Sequence, residues 1–285
     1  GGLFMRKDYH THTYRCKHAE HAEADVIDYA AVAVQKGLQV LGVSDHTPLP
    51  VLPDERWSRI RMNLSELDSY NDAVEEARAA HPELTILKGM ECEYSPDFIG
   101  FYQEELFGKR NFDYLIGGNH YVPYNGGWVG VHSYLKSKEE LMAYADHMVE
   151  TIASGLFAFI AHPDLFGNSY ELWDEHAIEC SKRILEAAAA YKVPLEVNAY
   201  GFRKPKIKTK AGTRPPYPLP PFWEMAAEYK GITVIANSDA HKPKDVGETA
   251  TVDRIIDQFG LVRADLSYLE KPSHHPVSAT HRACE

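Results

Sequence analysis

His10-Thr11-His12-Thr13 places two imidazoles two residues apart near the start of this 285-residue chain. On an extended segment such residues face the same way, so the pair can offer two nitrogen donors to one ion. Asp239 and His241 repeat the spacing far downstream, and between the two pairs stand Asp45 and His46, Glu91 and Glu93, His120 and His162. Neutral imidazole and carboxylate together suit divalent zinc, manganese or iron, whereas magnesium and calcium prefer all-oxygen shells. Taken singly, each has a plainer reading: an HxH fits an exposed strand face, and a lone histidine at a strand end is usually a hydrogen-bonded loop residue. Their recurrence at the same place in successive structural units carries the metal reading.

Those units come from the alternation of short apolar runs with longer stretches of helical period. Strands are expected at Lys7 to His12, Gln39 to Ser44, Thr85 to Cys92, Phe112 to Gly117, Phe157 to Ala161, Leu195 to Asn198 and Gly231 to Asn237. Helices are expected over Ala24 to Lys36, Ser65 to Ala80, Ser137 to Ser154, Glu171 to Tyr191, Phe222 to Lys230 and Thr249 to Gln258. Repeated strand-helix units imply parallel strands with right-handed crossovers, and their number suggests an α/β barrel of the TIM-like kind, one domain over residues 3–270 with a flexible tail over 271–285. All strand C-terminal ends of such a barrel open on one face, and six of the seven end in a candidate ligand; the sixth strand ends in Asn198. A doubly wound nucleotide fold would instead place a glycine-rich turn after the first strand, where the HxH stands.

Composition narrows the class. The chain is 44% apolar and 25% charged with a formal charge of −11, which suits a soluble globular protein and disfavours general nucleic-acid binding. No apolar run reaches the roughly 18 to 20 residues needed to cross a bilayer, and no signal-peptide pattern opens the sequence, so no membrane partner and a cytoplasmic location are expected. Cys16, Cys92, Cys180 and Cys284 form no CxxC pair and read as free thiols. The other histidines fall off the pattern: His81, His147 and His176 in or beside helices and His274, His275 and His281 in the tail read as solvated, while His21 and His132 lie in loops facing the expected pocket.

His10-x-His12, His18, Asp45-His46, Glu91, His120, His162 and Asp239-x-His241 together resemble the PHP (polymerase and histidinol phosphatase) metallohydrolases over nearly the whole chain. The Cys16-Lys17-His18 step, Ser44-Asp45-His46-Thr47-Pro48, Ala161-His162-Pro163-Asp164 and Asn237-Ser238-Asp239-Ala240-His241 most resemble the histidinol-phosphate phosphatase branch. The resemblance implies a distorted (β/α)7 barrel with three divalent transition-metal ions, Zn, Mn or Fe. It assigns His10, His12, Glu91 and Asp239 to the first ion, a bridging Glu91 with His120 and His162 to the second, and His18, His46 and His241 to the third. His21 lies close to His18 in sequence and is an alternative donor there.

A phosphate monoester resists hydroxide until its oxygens are neutralised and a nucleophile is supplied at neutral pH, and clustered metals do both, through a metal-bridging hydroxide. Glu91, Asp239 and Asp45 are the expected catalytic carboxyl groups, with Asp45 or Asp239 or a metal-held water protonating the departing alkoxide. The long loop after the sixth strand carries six basic residues among the twelve from Arg203 to Arg214. Arg203 is the expected phosphate contact, because guanidinium pairs two donors with phosphate oxygens, and Lys204 and Asn198 complete the expected substrate-binding set. The resemblance makes the small phosphorylated substrate L-histidinol phosphate. The alternatives are a family phosphoesterase acting on another metabolite or a nucleotide and, more distantly, an amidohydrolase.

Overall fold

The computed structural model describes residues 6–18 and 23–270; His21, Cys284 and the tail from 271, with its three histidines, lie outside the described residues. In chain order the elements are β1 (Lys7–Asp8), α1 (Val26–Gln35), β2 (Val40–Val43), α2 (Leu67–Ala80), β3 (Thr85–Cys92), β4 (Tyr114–Gly117), β5 (Tyr121–Tyr124) and β6 (Gly127–Gly130). There follow α3 (Lys138–Ala153), β7 (Phe159–Ile160), α4 (Glu175–Tyr191), β8 (Leu195–Asn198), β9 (Ile207–Thr209), β10 (Gly212–Arg214), α5 (Pro220–Ala226), β11 (Thr233–Asn237), α6 (Ala250–Phe259) and β12 (Val262–Arg263). The main sheet runs β1-β2-β3-β4-β7-β8-β11-β12. Parallel pairing sets Lys7 opposite Val40, Val40 opposite Thr85, Ile160 opposite Leu195 and Thr233 opposite Val262. This is the parallel α/β architecture that the strand-helix alternation predicts.

The residues gather into two compact units, unit 1 from 6–18, 23–116, 237–248 and 265–270, and unit 2 from 117–236 and 249–264. In unit 1 all four residues of β2, Val40, Leu41, Gly42 and Val43, are buried, as a parallel strand covered on both faces requires. Gly42 is needed there: a Cβ would meet the Tyr114 hydroxyl at 2.1 Å, so the absent side chain makes room for a fully buried tyrosine. Asp25 and Asp28 form a capping box that starts α1, and α1 turns Val26, Tyr29, Ala30 and Ala33 inward.

In unit 2 a second capping box, Ser137 with Glu140, starts α3. Asp174 accepts the amide protons of His176 and Ala177 and so begins α4 at Glu175, four residues later than the periodicity predicts. His147, expected in solvent, lies on the inner side of α3 with only 4% of its surface exposed and its ring 6.0 Å from Trp128. Helical phase decides that position, since Tyr144, His147, Met148 and Thr151 share one buried face.

Three further features depart from the sequence reading. An eighth sheet strand, β12, is two exposed residues, too short to show alternation. Tyr121–Tyr124 and Gly127–Gly130 form a hairpin whose turn residues Asn125 and Gly126 have φ of 49° and 75°, the left-handed pair of a type I′ turn. The residues from Phe101 to Lys109, between the third and fourth expected strands and in none of the expected helices, wind as a π-helix. Cys16, Cys92 and Cys180 are buried free thiols, as expected. No helix among the described residues is long and apolar enough to cross a membrane.

Candidate metal centre

The HxH segment leaves β1 still extended, and its backbone is held on two sides in unit 1. His12 N–H donates to the Ala240 carbonyl at 2.8 Å, and Ser44 N–H donates to the Thr11 carbonyl at 2.9 Å. Glu91, near the end of β3, is fixed in the same way: its N–H donates to the Asp45 carbonyl at 3.0 Å and its carbonyl accepts from Thr47 N–H at 3.0 Å. Residues 239–241 run beside Thr11, which pairs in parallel with Ala240. Backbone pairing therefore brings four segments far apart in sequence, residues 10–12, 44–47, 91 and 239–241, to one place.

Their side chains converge there. His10 Nε2 lies 3.1 Å from His12 Nε2 and 3.1 Å from Glu91 Oε1, and His12 Nε2 lies 3.2 Å from the same oxygen. Asp239 Oδ1 is 3.0 Å from His12 Nε2 and 3.3 Å from His10 Nε2. All four residues are at most 3% exposed. Donors bound tetrahedrally at about 2.0–2.1 Å stand about 3.3 Å from one another, so these separations are close to the edges of a zinc-sized coordination polyhedron. The donor set fits a divalent transition metal.

Electrostatics point the same way. Burial opposes a charged His12, but the Asp239 and Glu91 carboxylates outweigh it and push this imidazole up to about 9. Burial likewise opposes a charged Asp239, yet His10, His12 and His241 hold its carboxyl well below the ordinary range. The cluster thus stabilises positive charge at its centre, which a divalent cation supplies better than one proton. Asp239 also adopts a left-handed φ of 51°, a costly conformation for a non-glycine residue and one that concentrates at functional sites.

The remaining expected ligands of unit 1 divide into two sets around His241. Ligand atoms of His12, His46 and His241 lie within 4.8 Å of one another, and so do those of Cys16, His18 and His241. His46 Nδ1 is 3.5 Å from Glu91 Oε1. His18 is exposed, its Nδ1 2.9 Å from the Cys16 carbonyl and its ring 4.9 Å from that of His241 and 5.3 Å from that of His46. Burial and the neighbouring His12 hold His241 well below the usual imidazole value, leaving it neutral and able to ligate. Cys16, which the sequence sets apart from the ligands, therefore stands among them.

Asp45 is fully buried and engaged by one neighbour: Oδ1 accepts Thr13 N–H at 2.9 Å and Oδ2 accepts the Thr13 hydroxyl at 2.6 Å. Oδ1 also comes within 3.9 Å of His12 Nδ1, close enough for charge to act between them but beyond a hydrogen bond. Burial raises the Asp45 carboxyl, partly offset by His12 and Thr13. Glu93, two residues beyond Glu91, is 1% exposed, and its carbonyl accepts the Tyr102 hydroxyl.

In unit 2, His120 and His162 stand ring to ring at 5.1 Å, T-shaped, and His132 stacks on His120 at 5.7 Å. His162 takes a φ of 27°, with its N–H donating to Glu196 Oε1 at 3.1 Å and its carbonyl accepting from Leu165 N–H at 3.0 Å. Asn198 is fully buried between neighbours, its amide donating to Glu196 Oε1 at 2.7 Å and its oxygen accepting Tyr200 N–H at 2.8 Å. Arg203 and Lys204 lie over the Tyr200 ring at 5.3 and 5.1 Å, and Lys204 also lies 5.2 Å from the Tyr217 ring, which itself sits 5.7 Å from that of His162. The rest of the basic run separates: Lys206, Lys208 and Lys210 are exposed on a hairpin, and Arg214 is a structural clip.

One residue of unit 1 carries a signal that the sequence reading passed over. Asp8 shares the parity of His10 and His12 along the same extended segment, and it is fully buried.

Comparison with known proteins identifies the family. The PHP domain model matches residues 8–200, and a PHP-associated model matches residues 224–259. The "Probable histidinol-phosphatase" of Deinococcus radiodurans is 33% identical over 256 residues, 84% of this chain and 88% of the relative. The "Probable histidinol-phosphatase" of Schizosaccharomyces pombe is 25% identical, over 83% of this chain and 81% of the relative. Among solved structures, histidinol phosphate phosphatase from Lactococcus lactis, complexed with zinc, L-histidinol and phosphate, superposes with a TM-score of 0.67 at 17% identity, covering 90% of this chain and 95% of that one. It shares the fold. With the domain match spanning most of the chain, this protein belongs to the PHP family.

Proposed function

We propose that this protein is a metal-dependent phosphomonoesterase that hydrolyses L-histidinol phosphate to L-histidinol and inorganic phosphate. The observation that carries the reading is the convergence of His10, His12, Glu91 and Asp239 at separations of 3.0 to 3.3 Å inside unit 1. Divalent metal bound there supplies Lewis acidity toward phosphoryl oxygens and lowers the pKa of coordinated water from 15.7 to about 7. In this reading three ions are held, the first by that quartet, another by His18, His46 and His241, and His120 with His162 offering a further pair of imidazoles.

The chain's other residues bind and orient. Arg203 supplies a forked pair of donors for the phosphate oxygens and Lys204 a point charge, both laid against the Tyr200 ring. Asn198 fixes the start of that turn through Tyr200 N–H, and the Asp45 carboxylate stands 3.9 Å from His12 Nδ1, where its charge acts on that ring. The choice of substrate follows the names of the Deinococcus and Schizosaccharomyces relatives. A relative from Shewanella oneidensis, 27% identical, is named only as "Probable phosphatase", so another small monoester is the competing substrate.

Phosphate release by the metal-loaded protein tests both levels. The expected kcat/KM for L-histidinol phosphate exceeds that for AMP and for a sugar phosphate by more than about tenfold. Preference for a nucleotide transfers the assignment to that substrate, and no release from any monoester overturns the phosphatase reading.

A further inference from the structure

The Asp8 carboxylate takes no part in the scheme above, yet it is fully buried and receives four donors. Oδ1 accepts the backbone N–H of Ser238 at 3.2 Å and of His10 at 3.4 Å. Oδ2 accepts the N–H of Gly247 at 2.8 Å and the Ser238 hydroxyl. Two of these donors belong to the residue directly before Asp239, and a third to His10 itself. The Ser238 hydroxyl oxygen in turn accepts Ala240 N–H at 3.1 Å, closing a turn around Asp239 at its left-handed φ.

The surroundings extend the same seam. Asn237 Oδ1 accepts Tyr9 N–H at 3.0 Å, and the Ala240 carbonyl accepts His12 N–H at 2.8 Å. These contacts alternate along one edge, so the register between the HxH segment and residues 237–241 is fixed at both ends, with Asp8 at one of them. An ionised carboxylate suits four donors because it only accepts; an asparagine in its place turns an NH2 group toward donors.

We infer that Asp8 is a positioning residue for the metal centre, setting the separation between the His10 and Asp239 ligand atoms through the backbone of His10 and Ser238. The inference rests on reading the His10, His12, Glu91 and Asp239 cluster as a metal site. Partners behind a first set of ligands typically change metal affinity 10- to 100-fold.

The test compares wild type, Asp8→Asn and Asp113→Asn as full-length proteins. Asp113 is another carboxylate of unit 1 with structural partners, accepting Lys88 N–H at 2.8 Å and Arg78 Nη2 at 3.0 Å, and it serves as a control for general destabilisation. Zinc affinity is measured by competition with a chromophoric chelator, ligand geometry by the d–d bands of the cobalt-loaded protein, and stability by the Tm of the metal-free protein. Asp8→Asn is expected to weaken zinc binding 10- to 100-fold and to shift the cobalt bands, whereas Asp113→Asn lowers Tm with wild-type affinity and bands. Wild-type affinity and bands in Asp8→Asn, whatever its Tm, overturn the positioning role. If Asp8→Asn does not fold, Ser238→Ala removes one donor and leaves the carboxylate, and a shifted cobalt spectrum supports the role while an unshifted one overturns it. If wild type takes up no zinc, the metal reading itself falls, and this inference with it.

Discussion

Glu91 reaches three imidazoles with one carboxylate oxygen, those of His10, His12 and His46, each at 3.5 Å or less within unit 1. Its replacement by glutamine keeps the shape but removes the charge that offsets bound cations. Glu91→Gln is expected to lower kcat at least about 100-fold and to reduce the metal retained after dialysis, read by elemental analysis. Arg203→Ala probes substrate binding instead. KM for the phosphorylated substrate is expected to rise about tenfold or more with metal content unchanged, and unchanged KM rejects the phosphate contact. The candidate ligands at strand ends were legible in the sequence because strand-end position and two-residue spacing are local properties, whereas His18 came only from the family resemblance. Asp8 was not, because its meaning lies in Ser238 and Gly247, more than 200 residues away in sequence. Asn198 was legible as a strand-end amide, but its fully buried tie to Glu196 and Tyr200 appears only when the three are placed together.

At the scale of elements, the long connection after β8 is structured. Arg214 Nη2 donates to the carbonyls of Gly167, Tyr170 and Glu171 at 3.1 to 3.3 Å, and Nη1 donates to those of Pro215 and Pro216. Buried Asp164, which burial pushes up to about 6, accepts Leu219 N–H at 2.7 Å and Trp223 Nε1–H at 3.0 Å and anchors the far end. Arg214→Ala leaves several carbonyls without this donor and is expected to cost about 1–3 kcal/mol, seen as a lower Tm and faster proteolysis within residues 204–213. An unchanged Tm denies the clip its role. The hairpin within this loop escaped the sequence reading because the charge and proline content outweighed the short alternation at Ile207–Thr209. The β5–β6 hairpin had a readable sign in Asn125-Gly126, whereas β12 had none. Strand and helix order was legible because parallel strands buried on both faces read as short continuous apolar runs and helices carry the 3.6-residue period, both set by burial itself.

For the whole molecule, the formal charge is −11 and the cluster in unit 1 prefers cations, so divalent metals are favoured over polyanionic partners. Imidazole ligands bind metal only when neutral, so protons compete: His12, which Asp239 and Glu91 push up to about 9, takes up a proton as pH falls below that value, so metal is shed progressively and the stability it lends is lost with it. Metal-loaded protein is therefore expected to show a Tm that declines from pH 8 to pH 5 more steeply than that of the metal-free protein, and parallel declines contradict this coupling. The most direct test of the account is a single titration in which protein stripped by a chelator is given increasing Zn(II) or Mn(II), with phosphate release from L-histidinol phosphate followed throughout. The account predicts negligible release at the start and activity that rises with bound metal to saturation. Full turnover by the stripped protein, or none at any metal content, contradicts it.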